Sequence, residues 1–458
     1  MSGTGKYELD MCSGSILKKM LVFTLPLMLS SILQLLFNAA DIVVVGRFAG
    51  DNSLAAVGST TALVNLLTNL FVGLSIGANV TAARLYGAKQ NDALSRTVHT
   101  SIAVSLISGV ILTFIGFFGA EKMLVLMSTP PEITELAAVY LRIYFLGITA
   151  LMVYNFGSAI LRAIGDTKRP LYYLMASGAV NVVLNLIFVI CFKMDVAGVA
   201  LATVISQCLS AALVVRCLMK EQGAIRLILR SIKIHRQELL SIIRIGLPAG
   251  FQGIVFSLSN VVIQSAVNLF GNVVVAGNSA AANIEGFVYV AMNSFYQAVL
   301  SFMSQNFGAG NYKRLNKILI TGELCVTAVG LLLGNLAVIF GEQLLRIYSD
   351  SPDVIAAGMI RLRYISRLYA LCGIMDVLVG ALRGIGCSIT PMIVSVIGAC
   401  GLRLVWIATV FTIPEYHSVE TVFLSYPITW IITASVHLIC YIIVRKRVKR
   451  LYEKVSDC

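Results

Sequence analysis

Apolar runs of eighteen residues or more recur along the whole sequence, and they limit the fold before any motif is read. Each is long enough to cross the roughly 30 Å hydrocarbon layer as a single helix. Of 458 residues, 58% are hydrophobic and 12% charged, with mean hydropathy +0.87. A soluble domain carries about a quarter charged residues. The expected fold is therefore an all-α polytopic membrane protein with about twelve transmembrane helices. The first six spans are placed at 17–46, 54–80, 97–119, 134–157, 170–192 and 197–218. The second six are placed at 240–268, 278–304, 317–341, 355–380, 392–413 and 421–444. The chain divides into an N-lobe at 1–218, a basic connector at 219–239, and a C-lobe at 240–458 that ends in a basic tail.

The loops sort by charge. Arg84, Lys89 and Arg96, then Arg162, Lys168 and Arg169, then the connector, then Lys313, Arg314 and Lys317, and finally Arg445 to Arg450 with Lys449, form one set. Acidic or mixed loops, with Asp51, Glu121, Glu132, Asp195, Glu342 and Glu420, alternate with them. Basic loops mark the cytoplasmic side, so the expectation is a multi-pass protein of the inner (plasma) membrane with both termini cytoplasmic. The net charge of +13 is spread between spans as orientation signals, so nucleic acid is not expected as a partner. Arg361, Arg363 and Arg367 break the pattern, and are read as snorkelling or lining a cavity. The first apolar run has no small-residue cleavage pattern behind it and is read as a retained helix. Ten scattered cysteines show no metal spacing and are read as buried thiols, not disulfides.

The two halves repeat. LRAIGDTKRP at 161–170 returns as LRGIGCSITP at 382–391, and 383 − 162 = 221. YGAKQ at 86–90 returns as FGAGN at 307–311, and 308 − 87 = 221. Leu25-Pro26 returns as Leu247-Pro248, an offset of 222. Six spans is an even number, so both halves enter the membrane in the same direction. That predicts a parallel repeat, with a pseudo-two-fold axis along the membrane normal and a cleft between the lobes. Pro26 and Pro248 are read as static bends.

Within the first run, Leu21 to Phe48, the polar residues Gln34, Asn38 and Asp41 fall on one helical face, at spacings of four and three. A carboxylate at bilayer depth costs roughly 2.5–3.5 kcal/mol on insertion scales, so it normally faces protein or a water-filled cavity. Asp41 is the leading functional candidate. The alternative is a polar plug that only ties helices together.

Twelve spans in two lobes, LPLMLS and FNAADIVVVGR in the first helix, the LRAIGDTKRP loop and the DVAGVALATVIS run together resemble the multidrug and toxic compound extrusion family. The resemblance covers essentially the full chain. It implies a secondary antiporter that expels amphiphilic, mostly cationic compounds in exchange for H⁺ or Na⁺, with no other cofactor and as a monomer. Its N-lobe cation-coupling network falls here on Gln34, Asp41, Asn155, Asn181, Asn185 and Thr203. Many relatives carry Asp where Asn185 stands, which leaves one carboxylate instead of two. Na⁺ at Asp41 and a proton at Asp41 both remain open, because oxygen ligands suit a hard cation and a dry carboxyl takes up a proton. A lipid-linked oligosaccharide flippase is the alternative reading. No HExxH and no nucleophile–base set supports an enzyme.

The C-lobe has charges of its own in Glu285, Asp376 and Arg403. Subtracting 221 places Asp376 opposite Asn155. Unpaired charges at that depth are costly, so Arg403 is expected to pair with Asp376 or Glu285. A transport role and a fixed internal salt bridge are both open for this network. Met292, Phe295 and Tyr296 are candidates to grip an apolar substrate at the cleft.

Overall fold

Long apolar runs with few internal breaks give long helices, and a computed structural model shows where each begins and ends. It describes residues 7–127 and 129–456, except the side chains at 51, 449 and 451–456. The side chains of Asp51 and Lys449, read above as loop charges, lie outside the described part, as does Cys458. The first half has α1 (Ile16–Phe48), α2 (Asp51–Gly87), α3 (Asn91–Leu126), α4 (Pro131–Leu146), α5 (Ile148–Ala163), α6 (Lys168–Leu186) and α7 (Asp195–Lys220). The second has α8 (Arg236–Asn268), α9 (Asn272–Gly308), α10 (Tyr312–Ile339), the short α11 (Gly341–Arg346), α12 (Pro352–Tyr364) and α13 (Ala370–Gly384). It ends in α14 (Ile389–Ser395), α15 (Leu402–Ala408) and α16 (Val419–Ser456). No strand occurs among the described residues.

Among the described residues, ten helices are each long and apolar enough to cross a membrane. Two further spans are bent pairs, α4 with α5 at 46° and α12 with α13 at 45°. Counting each pair as one span gives the twelve expected. A π-turn follows α6 at Ile187–Cys191, and another joins α14 to α15 at Val396–Gly401. Pro26 and Pro248 sit inside helices that continue through them.

The chain forms two units, and their boundaries differ from the sequence division. One comprises Leu25–Gly253 with the described part of Met1–Asp10; the other comprises Met11–Thr24 and the described part of Ile254–Cys458. Each unit therefore includes the first part of a helix whose remainder lies in the other. In the N-terminal unit the start of α8 meets α2 backbone to backbone. A Cβ on Gly73 would lie 2.2 Å from the Gly250 nitrogen, so only glycine allows the approach. In the C-terminal unit Asn306 Nδ2 donates to the Met11 carbonyl at 3.0 Å, and Phe23 meets Phe302 edge-on at 5.9 Å.

The repeated loop sequence gives a repeated turn. Gly165 and Gly386 adopt φ +93° and +88°, the left-handed region where glycine is unstrained. In the first copy Asp166 accepts the Lys168 and Arg169 backbone N–H groups, both at 3.1 Å, and pairs with the Arg169 side chain. Cys387 stands at the equivalent place in the second copy, where no carboxylate is available.

Among the described cysteines, only Cys217, Cys372 and Cys400 are buried. Cys191 and Cys208 are exposed, which corrects the expectation of buried thiols. A thiol is apolar enough to stand on an apolar outer surface.

Candidate functional site

Asp41 is half-buried near the C-terminal end of α1. One helical turn earlier, Phe37 lies against Gly178 of α6. That contact brings α1 onto α6, whose next residues in the same direction are Asn181 and Asn185. Asn185 Nδ2 donates to Asp41 Oδ1. The same amide reaches Asn181 Oδ1 at 3.4 Å. Asn181 Nδ2 then donates to Thr203 Oγ1 of α7 at 3.4 Å, and Thr203 donates to the Val199 carbonyl at 2.9 Å. Four of the six residues assigned to cation coupling thus form one chain across three helices.

Asn185 is fully buried, yet its side-chain carbonyl oxygen has no partner among the described residues. A buried carbonyl without a donor beside a carboxylate is an arrangement of oxygens that a small hard cation, or a proton donor, can satisfy. Asp41 and Asn185 offer oxygens to it directly, and Asn181 Oδ1 and Thr203 Oγ1 lie next along the chain. Tyr140 and Tyr144, stacked at 6.1 Å, belong to the surrounding apolar packing with Val44, Val45 and Leu141.

The other two assigned residues lie outside the chain. Gln34 is exposed and Asn155 half-buried, and neither side chain makes a hydrogen bond among the described residues. Gln34 is two turns from Asp41 along a helix whose contact with α6 is made by Phe37 and Asp41. Asn38 is exposed as well.

In the C-terminal unit the expected pairing of Arg403 is corrected. The partner of Glu285 is Arg361, whose Nη2 lies 2.7 Å from Oε2 and whose Nε lies 3.1 and 3.2 Å from the two carboxylate oxygens. Arg361 Nη1 also donates to Asn278 Oδ1 at 2.6 Å. A guanidinium matches a carboxylate through such a fork, so Glu285 has no need of a second cation. Arg403 instead stacks over Tyr426 at 3.9 Å and donates to Thr429 at 3.3 Å. Asp376 is half-buried and makes no hydrogen bond or ion pair among the described residues. The three charges grouped from sequence therefore do not form one network.

Met292, Phe295 and Tyr296 are 2%, 2% and 7% exposed. Met292 lies where Cβ atoms on Gly330 and Gly373 would be, and Tyr296 fits against Gly380 and accepts a 2.7 Å hydrogen bond from Arg383. They fill the inside of the C-terminal unit, which corrects their reading as a substrate-gripping surface. Glycines on α10 and α13 left the space that these large side chains fill.

Two residues escaped the sequence reading. Arg361, expected to snorkel or line a cavity, is instead paired with Glu285 inside the C-terminal unit; the two are 76 positions apart and no local pattern links them. Glu323, inside α10, has both carboxylate oxygens buried without a hydrogen bond among the described residues. Its signal was simple: one acid in the apolar stretch ILITGELCVTAV.

The MatE family model matches residues 26–187 and 248–409. The chain is 31% identical over 397 residues to the probable multidrug resistance protein YpnP of Bacillus subtilis, covering 86% of this chain and 88% of that one. It is 25% identical to the probable multidrug resistance protein NorM of Thermotoga maritima, covering 85% and 84%. In fold it matches the outward-facing structure of a multidrug resistance MATE family transporter of the MOP superfamily. The TM-score is 0.91 at 23% identity, over 98% of this chain and all of the other. Matches over both halves and nearly the full length agree with the repeated helices and loops described above: the chain belongs to the MatE family.

Proposed function

We propose that this protein is a secondary active antiporter that exports amphiphilic, cationic organic compounds in exchange for H⁺ or Na⁺. It is a transporter and not an enzyme, and relatives named as multidrug resistance proteins support small molecules as the exported class. The observation that carries the proposal is the Asp41 carboxylate held by Asn185, whose own buried carbonyl lacks a donor. An acid held at that depth is retained where it can be loaded and unloaded. One-for-one exchange of monovalent cations moves no net charge, so the ion's concentration gradient sets the limit: a tenfold ion gradient, worth about 1.4 kcal/mol, sustains a substrate gradient of about tenfold, and a single site suffices for that. Ion binding drives export only if it favours one of two access states over the other. In this reading the ion binds inside the N-terminal unit, the basic loops face the cytoplasm, and the protein resides in the plasma membrane.

The test is flux of a fluorescent organic cation in vesicles, with proton and sodium gradients imposed separately. Uphill movement driven by one of them is expected, and Asp41→Asn abolishes it while membrane insertion is unchanged. Transport that continues undiminished in Asp41→Asn refutes the proposal.

A further inference from the structure

The two repeats allow the cation site of the N-terminal unit to be compared with the same place in the C-terminal unit. The offset is 222 at Pro26 and Pro248, where both helices run unbroken past the position of interest. Asp41 + 222 is Ile263. In the loop before α6 the offset is 221, since 383 − 162 = 221. A π-turn then intervenes in the second copy, at Val396–Gly401, before the first copy reaches its own at Ile187–Cys191. A π-turn takes one residue more than the α-turn it replaces. The offset between the two π-turns is therefore 222 again. The two segments matched by the family model agree, since 248 − 26 = 222 and 409 − 187 = 222. Asn181 then corresponds to Arg403, and Asn185 to Ile407.

Hydrogen bonding supports this register. Asn181 donates to Thr203 at 3.4 Å, and Arg403 donates to Thr429 at 3.3 Å. Thr203 and Thr429 each bond back to the carbonyl four residues earlier. In place of Asp41 and Asn185, the second unit has Ile263 inside an apolar cluster and Ile407 packed against it. In place of the neutral Asn181 it has a guanidinium that is 3% exposed, whose Nε has no partner among the described residues.

We infer that Arg403 is a tethered cation at the place repeat-related to the coupling site, so that each transport cycle exchanges one ion, through the N-terminal unit alone. The inference rests on the antiport reading above. A carboxylate and an amide oxygen invite a mobile cation. Two isoleucines and a guanidinium exclude one by apolar surroundings and like charge. Glu285 is already neutralised by Arg361. Asp376 and Glu323, inside helices of the C-terminal unit and without a hydrogen bond among the described residues, are the carboxyl groups removed in the test.

The test uses the full chain in proteoliposomes with the membrane potential clamped at zero and tetraphenylphosphonium as substrate. The driving-ion gradient is set tenfold, and the steady substrate gradient is read. A ratio of one holds the substrate gradient at about tenfold, and a ratio of two holds it at about a hundredfold. About tenfold is expected in wild type and in Asp376→Asn and Glu323→Gln. A gradient near a hundredfold in wild type that falls to tenfold in either variant overturns the inference and leaves the antiport reading standing. Absence of uphill transport in wild type under either ion gradient overturns the antiport reading itself, whereas uphill transport that persists in Asp41→Asn overturns the assignment of the ion to the N-terminal unit. Arg403→Lys keeps the charge and is expected to keep the tenfold gradient, even where Arg403→Ala fails to fold.

Discussion

Phe37 and Gly178 are packed so closely that a Cβ on the glycine would stand 1.9 Å from Phe37 Cε2. This contact lies one turn of α1 before Asp41 and two turns of α6 before Asn185. It sets the approach on which the Asp41–Asn185 hydrogen bond depends.

Gly178→Ala should therefore impair transport without adding or removing a polar group. To admit the added methyl group, either the Phe37 ring must turn away or the helices must separate. Overpacking of this kind costs about 1–3 kcal/mol. Coupled flux in vesicles should fall several-fold at normal expression, and adding Phe37→Leu to Gly178→Ala should restore part of it. Full activity in Gly178→Ala alone would show that the approach of α1 to α6 is not limiting.

Glu285 and Arg361 test a different kind of interaction. Both are nearly sealed, with side chains 4% and 12% exposed. Removing one partner strands a buried charge, which costs about 3–5 kcal/mol. Glu285→Gln and Arg361→Met should each lower the thermal unfolding midpoint in detergent markedly. The double change to Gln and Met should cost much less than the sum, because no charge is left behind. Additive losses in that cycle would mean the two residues do not act as a pair.

These cases show which parts of the molecule can be read from the chain. Hydropathy places the spans because each helix declares its apolar length locally, so the limits 97–119 fall inside α3 and 197–218 inside α7. The α4–α5 bend falls at Gly147, a local mark inside the apolar run 134–157, whereas the α12–α13 bend follows the 3₁₀ turn Ser366–Leu368, where neither glycine nor proline marks it. The membership of the helix starts in the opposite unit was hidden as well. It depends on Gly73 meeting Gly250, and on Asn306 meeting Met11, across long stretches of chain. At the candidate site, Asp41 stood out because an acid in an apolar run is costly wherever it lies. Its partnership with Asn185 came from the family resemblance. Arg403 was assigned the wrong partner because charge alone does not reveal that Arg361 lies nearer to Glu285, or that Tyr426 offers its ring to Arg403.

Asp166 joins the turn after α5 to the first turn of α6. Its carboxylate accepts two backbone N–H groups and pairs with Arg169, which also pairs with Glu221 just beyond α7. Asp166→Ala leaves those N–H groups without an acceptor, a loss of about 0.5–2 kcal/mol for a capping residue. The thermal midpoint should fall, while Cys387→Ala at the equivalent turn should change it little. Asp166→Asn should fall between them, since an amide oxygen still accepts the N–H groups but attracts Arg169 less. Equal midpoints for Asp166→Ala and wild type would remove the capping argument.

Glu323 gives the last prediction. Both its oxygens are buried without a hydrogen bond among the described residues, and the adjacent Gly322 lets Val299 and Val377 pack closely against α10. A buried polar group with no partner costs about 1–3 kcal/mol relative to one that is satisfied. Leu has similar reach and no polar atoms, so Glu323→Leu should raise the thermal midpoint while leaving coupled flux within about twofold of wild type. Glu323→Gln keeps the polar group and should not share the gain in stability. If Glu323→Leu is stable but inactive, the acid is kept for transport and not merely tolerated. The search for ion-carrying groups would then move from the N-terminal unit, where Asp41 has its partners in place, to α10.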